Sequence, residues 1–140
     1  MNGYLQIRTA LAIDNTEAAA KAAKVFTDNL SKINVSQLNA EKQPQMKKNL
    51  AKIKEAALKL TVAKNLNEQR QAFAQLTAVL LPLLKEMGPL DKPLFLQHCP
   101  MALNNQGAEW LSETEKILNP YLGQAMPMCG MNKGNIFEKK

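Results

Sequence analysis

Apolar side chains recur three and four residues apart from Tyr4 to Met87, and that period marks one face of a helix rather than of a strand. The first run, Tyr4, Ile7, Leu11, Ala18, Ala22, Val25, Phe26, Leu30 and Ile33, predicts one long helix. Uninterrupted, it measures roughly 45 Å. Asp14-Asn15-Thr16-Glu17 breaks the run and is read as the solvated side of that helix rather than as a kink. Asn34 to Pro44 mixes turn formers, and Pro44 suits the first turn of a second helix, where its missing N–H has no cost. That helix runs to about Ala63 on Met46, Leu50, Ile53, Ala57 and Leu60. Its other face carries Lys47, Lys48, Lys52, Lys54 and Lys59 against Glu55. Such a face can meet an anionic membrane or nucleic acid, but it is more commonly the wet side of a bundle helix. The wet side is the reading taken, and no nucleic-acid partner is expected.

A third helix opens near Leu66-Asn67, with Asn67 predicted as its N-cap and Leu66 packing back on the first turn. Its apolar face is Phe73, Leu76, Leu80, Leu84 and Met87. Pro82 inside that pattern predicts a kink or early end, and Gly88-Pro89 closes the helical part. Three amphipathic helices with short connections predict an all-α fold, an up-and-down bundle of three to four helices. The bundle takes residues 1–89 and an irregular C-terminal lid takes residues 90–140, in a single domain. A chain of 140 residues can bury its core without help from a metal or disulfide. No apolar run is long enough for a transmembrane segment. The N-terminal stretch lacks the pattern of a secretory signal. Two origins fit, a cytosolic protein or a mature exported chain whose signal has been removed.

In the lid, Pro93, Pro100, Pro120 and Pro127 alternate with Gly107, Gly123, Gly130 and Gly134 and leave room only for short elements. Leu94-Phe95-Leu96 reads as a short strand, and Ala108 to Leu111 as its partner across the Asn104-Asn105-Gln106-Gly107 turn. Ser112-Glu113-Thr114-Glu115 reads as the capped start of a short helix that ends before Asn119-Pro120. Asn119-Pro120-Tyr121 is a turn determinant, and Trp110 and Tyr121 are expected to pack the lid onto the bundle.

The lid also gathers the soft donors of the chain. It holds both cysteines, the only histidine and four of the seven methionines, in His98-Cys99-Pro100-Met101 and Met126-Pro127-Met128-Cys129-Gly130-Met131. Thiolate and thioether sulfur favour soft ions such as Cu(I), with silver or zinc as other candidates. The donors available to such an ion are Cys99, Met101, Met126 and Cys129, with His98, Met128 and Met131 beside them. A histidine nitrogen shifts preference toward Cu(II) or Zn(II), although a solvent-facing or carbonyl-bonded His98 is the plainer reading. Met46 and Met87 are read as core packing. The competing reading is a disulfide between Cys99 and Cys129, closing a loop of about thirty residues worth roughly 3–4 kcal/mol. That reading gives a helical interaction domain without metal, docked to an envelope or adaptor partner. Both stay open at this point. No nucleophile with base and orienting group, no Cys-x-x-Cys and no phosphate loop is present, so catalysis is not expected.

The motifs Cys99-Pro100-Met101-Ala102, Trp110-Leu111-Ser112, Ile117-Leu118-Asn119-Pro120-Tyr121-Leu122-Gly123, Met126 and Cys129-Gly130 follow one another in an order that resembles a bacterial family of unknown function. Asn67-Glu68-Gln69-Arg70 with Ala72-Phe73 resembles that family's third-helix opening. Members of that family occur alone as exported proteins and as C-terminal extensions of CusB-like heavy-metal efflux adaptors. The resemblance implies a periplasmic or exported helical domain that handles copper, silver or a related metal. It also implies a heavy-metal efflux adaptor or metallochaperone as partner, with Cys99, Met101, Met126 and Cys129 as the suspected site. Leu122 stands where the family usually has an aromatic, and Pro127 where it usually has an aliphatic residue.

Overall fold

The computed structural model describes residues 2–33, 40–87 and 92–137. Four long helices come first: α1 (Asn2–Ala12), α2 (Thr16–Ser31), α3 (Gln43–Val62) and α4 (Leu66–Met87). Each packs on the next. Three strands follow, β1 (Phe95–Cys99), β2 (Ala108–Ser112) and β3 (Met131–Asn135), as an antiparallel sheet in the order β2-β1-β3. The fold is therefore a helical bundle with a small C-terminal sheet and is not strictly all-α. The expected hairpin is present, since β1 pairs with β2 from Phe95↔Ser112 to Cys99↔Ala108.

The long first helix does not form. Asp14 takes a left-handed φ of 60°, and the Asn15 side chain accepts the Ala18 N–H at 3.0 Å to start α2. The polar interruption is thus a turn with its own cap. α4 is capped by Asn65 rather than Asn67, because the Asn65 side chain accepts the Glu68 N–H at 2.9 Å. Glu68 in turn accepts the Lys64 N–H at 2.8 Å. Pro82 does not end α4 early. It lies on the exposed side, and the buried Leu83 and Leu84 hold the turn that follows. Pro44 sits in the first turn of α3 as expected, and Met46 packs against the core. The closure at Gly88-Pro89, most of the Asn34 to Pro44 connection and the Met87 side chain lie outside the described residues.

One apolar core runs from the bundle into the sheet, with Tyr4, Ile7, Leu11, Ile53, Leu60, Phe73, Leu76, Trp110 and Leu111 among its buried members. Tyr4 stacks on Phe73 at 4.8 Å, and Tyr121 touches both Phe73 and Trp110 at 5.9 Å. Trp110 and Tyr121 therefore join lid to bundle as expected. An edge strand presents unpaired backbone groups on its outer side. On β2 these meet the two tyrosines: Leu111 N–H donates to the Tyr4 hydroxyl at 3.0 Å, and the Tyr121 hydroxyl donates to the Glu109 carbonyl at 2.7 Å. Burial pushes both phenols well above their ordinary range, which keeps them neutral.

The helix expected from Ser112 is absent. Ser112 ends β2, and its hydroxyl accepts from Arg8 at 2.8 Å and from the Thr114 N–H at 3.3 Å. The carbonyls of Thr114, Glu115 and Lys116 all face the buried Gln97 amide at 3.0–3.3 Å. Those carbonyls are held by a neighbouring strand and so do not enter a helix.

Candidate metal centre

Cys99 is the last residue of β1 and is fully buried. Pro100 follows it and has no N–H for the ladder, so the strand stops and the chain turns. Met101 then leads into a one-turn segment, Ala102–Asn105, in which Leu103, Asn104 and Asn105 are left-handed, and Gly107 N–H closes the turn on the Ala102 carbonyl at 2.9 Å. This return places Met101 beside the end of β1, with its side chain 45% exposed.

The second sulfur-bearing turn is held by Asn119. The Asn119 N–H donates to the Pro127 carbonyl at 2.8 Å, and its side-chain amide donates to the Cys129 carbonyl at 2.8 Å. Its side-chain oxygen accepts the N–H groups of Tyr121 and Leu122. The Cys129 N–H closes a tight turn on the Met126 carbonyl at 3.2 Å. Gly130 completes the approach. Its φ is +133°, and a Cβ there would lie 2.9 Å from the His98 carbonyl oxygen and 3.1 Å from the Trp110 ring, so only glycine fits between them. Arg70 braces the other side of the Asn119 turn, donating to the Pro120 carbonyl at 2.8 Å, the Leu11 carbonyl at 2.9 Å and Asp14 at 2.7 Å.

The two turns bring three sulfurs into contact. Cys99 Sγ lies 3.6 Å from Cys129 Sγ, and Cys129 Sγ lies 3.9 Å from Met101 Sδ. A metal–thiolate bond of ~2.3 Å gives sulfur–sulfur edges of ~3.8 Å in a tetrahedron and ~4.0 Å in a trigonal plane. The observed spacing already lies near those edges. The same contact can close as a disulfide, whose S–S bond is ~2.05 Å. Both cysteines are free thiols here. The hydrogen bond to Cys99 holds the Cys129 thiol above its ordinary range, with burial adding to it.

The remaining candidates are placed elsewhere. Met126 and Met128 are exposed on the turn that carries Cys129, and the hydrogen-bonded sulfur group takes in neither of them. His98 and Met131 face each other across β1 and β3, and His98 also faces Glu109 on β2. Adjacent strand residues point to opposite faces, so this row lies on the side of the sheet away from Cys99. His98 lines a cleft of about 330 Å³ against α4, and its Nδ1 is buried without a hydrogen-bond partner among the described residues. It therefore does not bond a carbonyl through that nitrogen. Among the described residues no three His, Cys, Asp or Glu side chains gather as a metal site. An ion held here would depend on the thioether.

Arg8, Arg70, Asn119 and Gln97 are the positioning residues that sequence reading missed or understated. Arg8 occupies a helix position four after Tyr4, on the face of Ile7 and Leu11, and that placement was the available signal.

A family profile described as "Protein of unknown function (DUF3347)" matches residues 1–92. The chain belongs to this family. The DUF3347 match spans the four helices and ends just before β1, so both cysteines and the whole sheet lie beyond it. No curated protein and no solved structure matched the chain. Among the described residues, no helix of this DUF3347 member is long and apolar enough to cross a membrane.

Proposed function

We propose that this chain is a soft-metal binding module that takes Cu(I) between Cys99, Cys129 and Met101. The observation that carries the reading is the three-sulfur contact at 3.6 and 3.9 Å, with one thiol buried and the thioether open to solvent. Two thiolates and a thioether suit Cu(I) or Ag(I), whereas Zn(II) prefers four nitrogen or thiolate donors. The exposed Met126 and Met128 are then transient thioether contacts on the path of the ion, not resident ligands. The periplasmic setting, and a role in passing metal to or buffering it for an efflux adaptor or metallochaperone, rest on the resemblance of the lid motifs. Anaerobic titration of the reduced protein with Cu(I) against a chromogenic chelator tests the reading. One ion per chain should be retained, and retention should drop sharply in Cys99→Ser and Cys129→Ser. Release of all copper to the chelator, with both thiols counted free, would refute it.

The same sulfur contact favours one second reading, a helical interaction domain locked by a Cys99–Cys129 disulfide without metal. Thiol counting on unfolded, unreduced protein separates the two: two thiols support the first, and none the second.

A further inference from the structure

The outer face of α3 concentrates charge that the rest of the molecule lacks. Five lysines and one glutamate in this helix give a net +4 of the whole chain's +6. Among the described residues, Lys59 is the one of the five with an ionic partner, Glu55 at 3.8 Å. The inner face, Ile53, Ala56, Ala57 and Leu60, is buried in the core, so the helix is fixed and presents its opposite side outward. At helical spacing, Ala51, Glu55, Leu58 and Val62 form a strip down the middle of that side, with the Glu55 carboxylate facing Lys59. Leu58 is 46% exposed and Val62 is 75% exposed. Lys47 and Lys54 flank the strip on one edge, and Lys48, Lys52 and Lys59 on the other.

Exposed Leu58 and Val62 between two rows of lysine, with the one carboxylate of the strip offset by Lys59, follow the pattern of a helix that lies in a membrane interface, with aliphatic groups entering the headgroup boundary and lysine stems reaching outward to phosphate. Nucleic acid fits less well. The helix has no arginine and no aromatic residue, and the exposed Leu58 and Val62 would sit against a phosphate backbone. We propose that the outer face of α3 docks this protein on an anionic lipid bilayer, through Lys47, Lys48, Lys52, Lys54 and Lys59 around Leu58 and Val62. This surface is independent of the sulfur group and stands or falls apart from it.

The test is flotation of the full chain with phosphatidylcholine vesicles carrying rising fractions of phosphatidylglycerol. Binding should be absent on pure phosphatidylcholine, rise steeply with the anionic fraction and weaken with added salt. Lys48→Glu, Lys52→Glu and Lys59→Glu together should weaken it by more than about 100-fold, the loss expected from neutralising three lysines alone. The matching Lys→Gln set covers the case in which charge reversal disturbs folding. Leu58→Ser with Val62→Ser, at unchanged charge, should weaken vesicle binding several-fold. No binding at high phosphatidylglycerol in low salt overturns the proposal. So does vesicle binding that ignores the lysine variants. If the protein binds duplex DNA as tightly as vesicles and the serine pair affects neither, the face is a general polyanion surface and the lipid assignment is wrong.

Discussion

The side-chain amide of Asn119 donates to the backbone carbonyl of Cys129 at 2.8 Å, while its oxygen receives the N–H groups of Tyr121 and Leu122 at 2.8 and 2.9 Å. One fully buried residue thus fixes both the turn that anchors the lid and the turn that presents the second thiol. Asn119→Ala leaves those three groups without partners. A loss of about 2–4 kcal/mol is expected in urea unfolding, together with weaker Cu(I) retention.

Tyr4 links three elements through one oxygen. Its hydroxyl donates to Thr77 on α4 at 2.6 Å and accepts the outward N–H of Leu111 on β2. The Thr77 hydroxyl is itself committed as donor to the Phe73 carbonyl at 3.0 Å. Tyr4→Phe keeps the ring stack on Phe73 but strands a buried N–H, so a cost of roughly 1–3 kcal/mol is expected. Amide exchange at Leu111 should accelerate, while exchange in α3 should change little.

Glu113 anchors the buried Arg8, which holds Ser112 at the end of β2. Partial burial pushes the carboxyl up, but the Arg8 hydrogen bond and charge outweigh it, so the carboxyl titrates below its usual range. A depressed carboxylate adds stability above its unfolded value of ~4.3 and loses it as pH falls through the folded value. Glu113→Gln should therefore lower Tm at neutral pH, and the gap to the parent should close in acid. A gap that stays constant with pH would contradict the ion-pair assignment.

Much of this arrangement was legible in the sequence. Ile53, Ala57 and Leu60 of α3 and Phe73, Leu76, Leu80 and Leu84 of α4 are buried as their spacing predicts, and the β1–β2 hairpin falls where Leu94 to Leu96 and Ala108 to Leu111 placed it. Of the clustered cysteines and methionines, the fold brings the sulfurs of Cys99, Cys129 and Met101 together. What escaped has physical causes. A single left-handed residue, Asp14, breaks the first helix, and the polar interruption there reads equally as a solvated face because the apolar spacing resumes at Ala18. β3 reads Met131-Asn132-Lys133-Gly134-Asn135, a polar stretch without alternation, because an edge strand beside a bulge does not need an apolar face. Gln97 and Arg8 pull residues 112–116 away from the helix their composition favours. The ties of Asn119 to Cys129 and of Arg70 to Pro120 are tertiary and leave no local signal.

Oxidation should switch the sulfur group between its two chemistries. Mild oxidant joins Cys99 to Cys129, and the reduced and oxidised proteins should differ by roughly 3–4 kcal/mol in unfolding free energy. The oxidised form should retain no Cu(I), and dithiothreitol should restore retention. Undiminished copper retention after complete loss of free thiols would place the ion elsewhere.

The central claim is that Cys99, Cys129 and Met101 surround one soft cation, and copper K-edge X-ray absorption on the reduced, Cu(I)-loaded protein tests it most directly. The expected result is an all-sulfur shell near 2.3 Å with about three scatterers, falling to about two in Met101→Leu. A shell dominated by nitrogen or oxygen, or one unchanged by Met101→Leu, would contradict it.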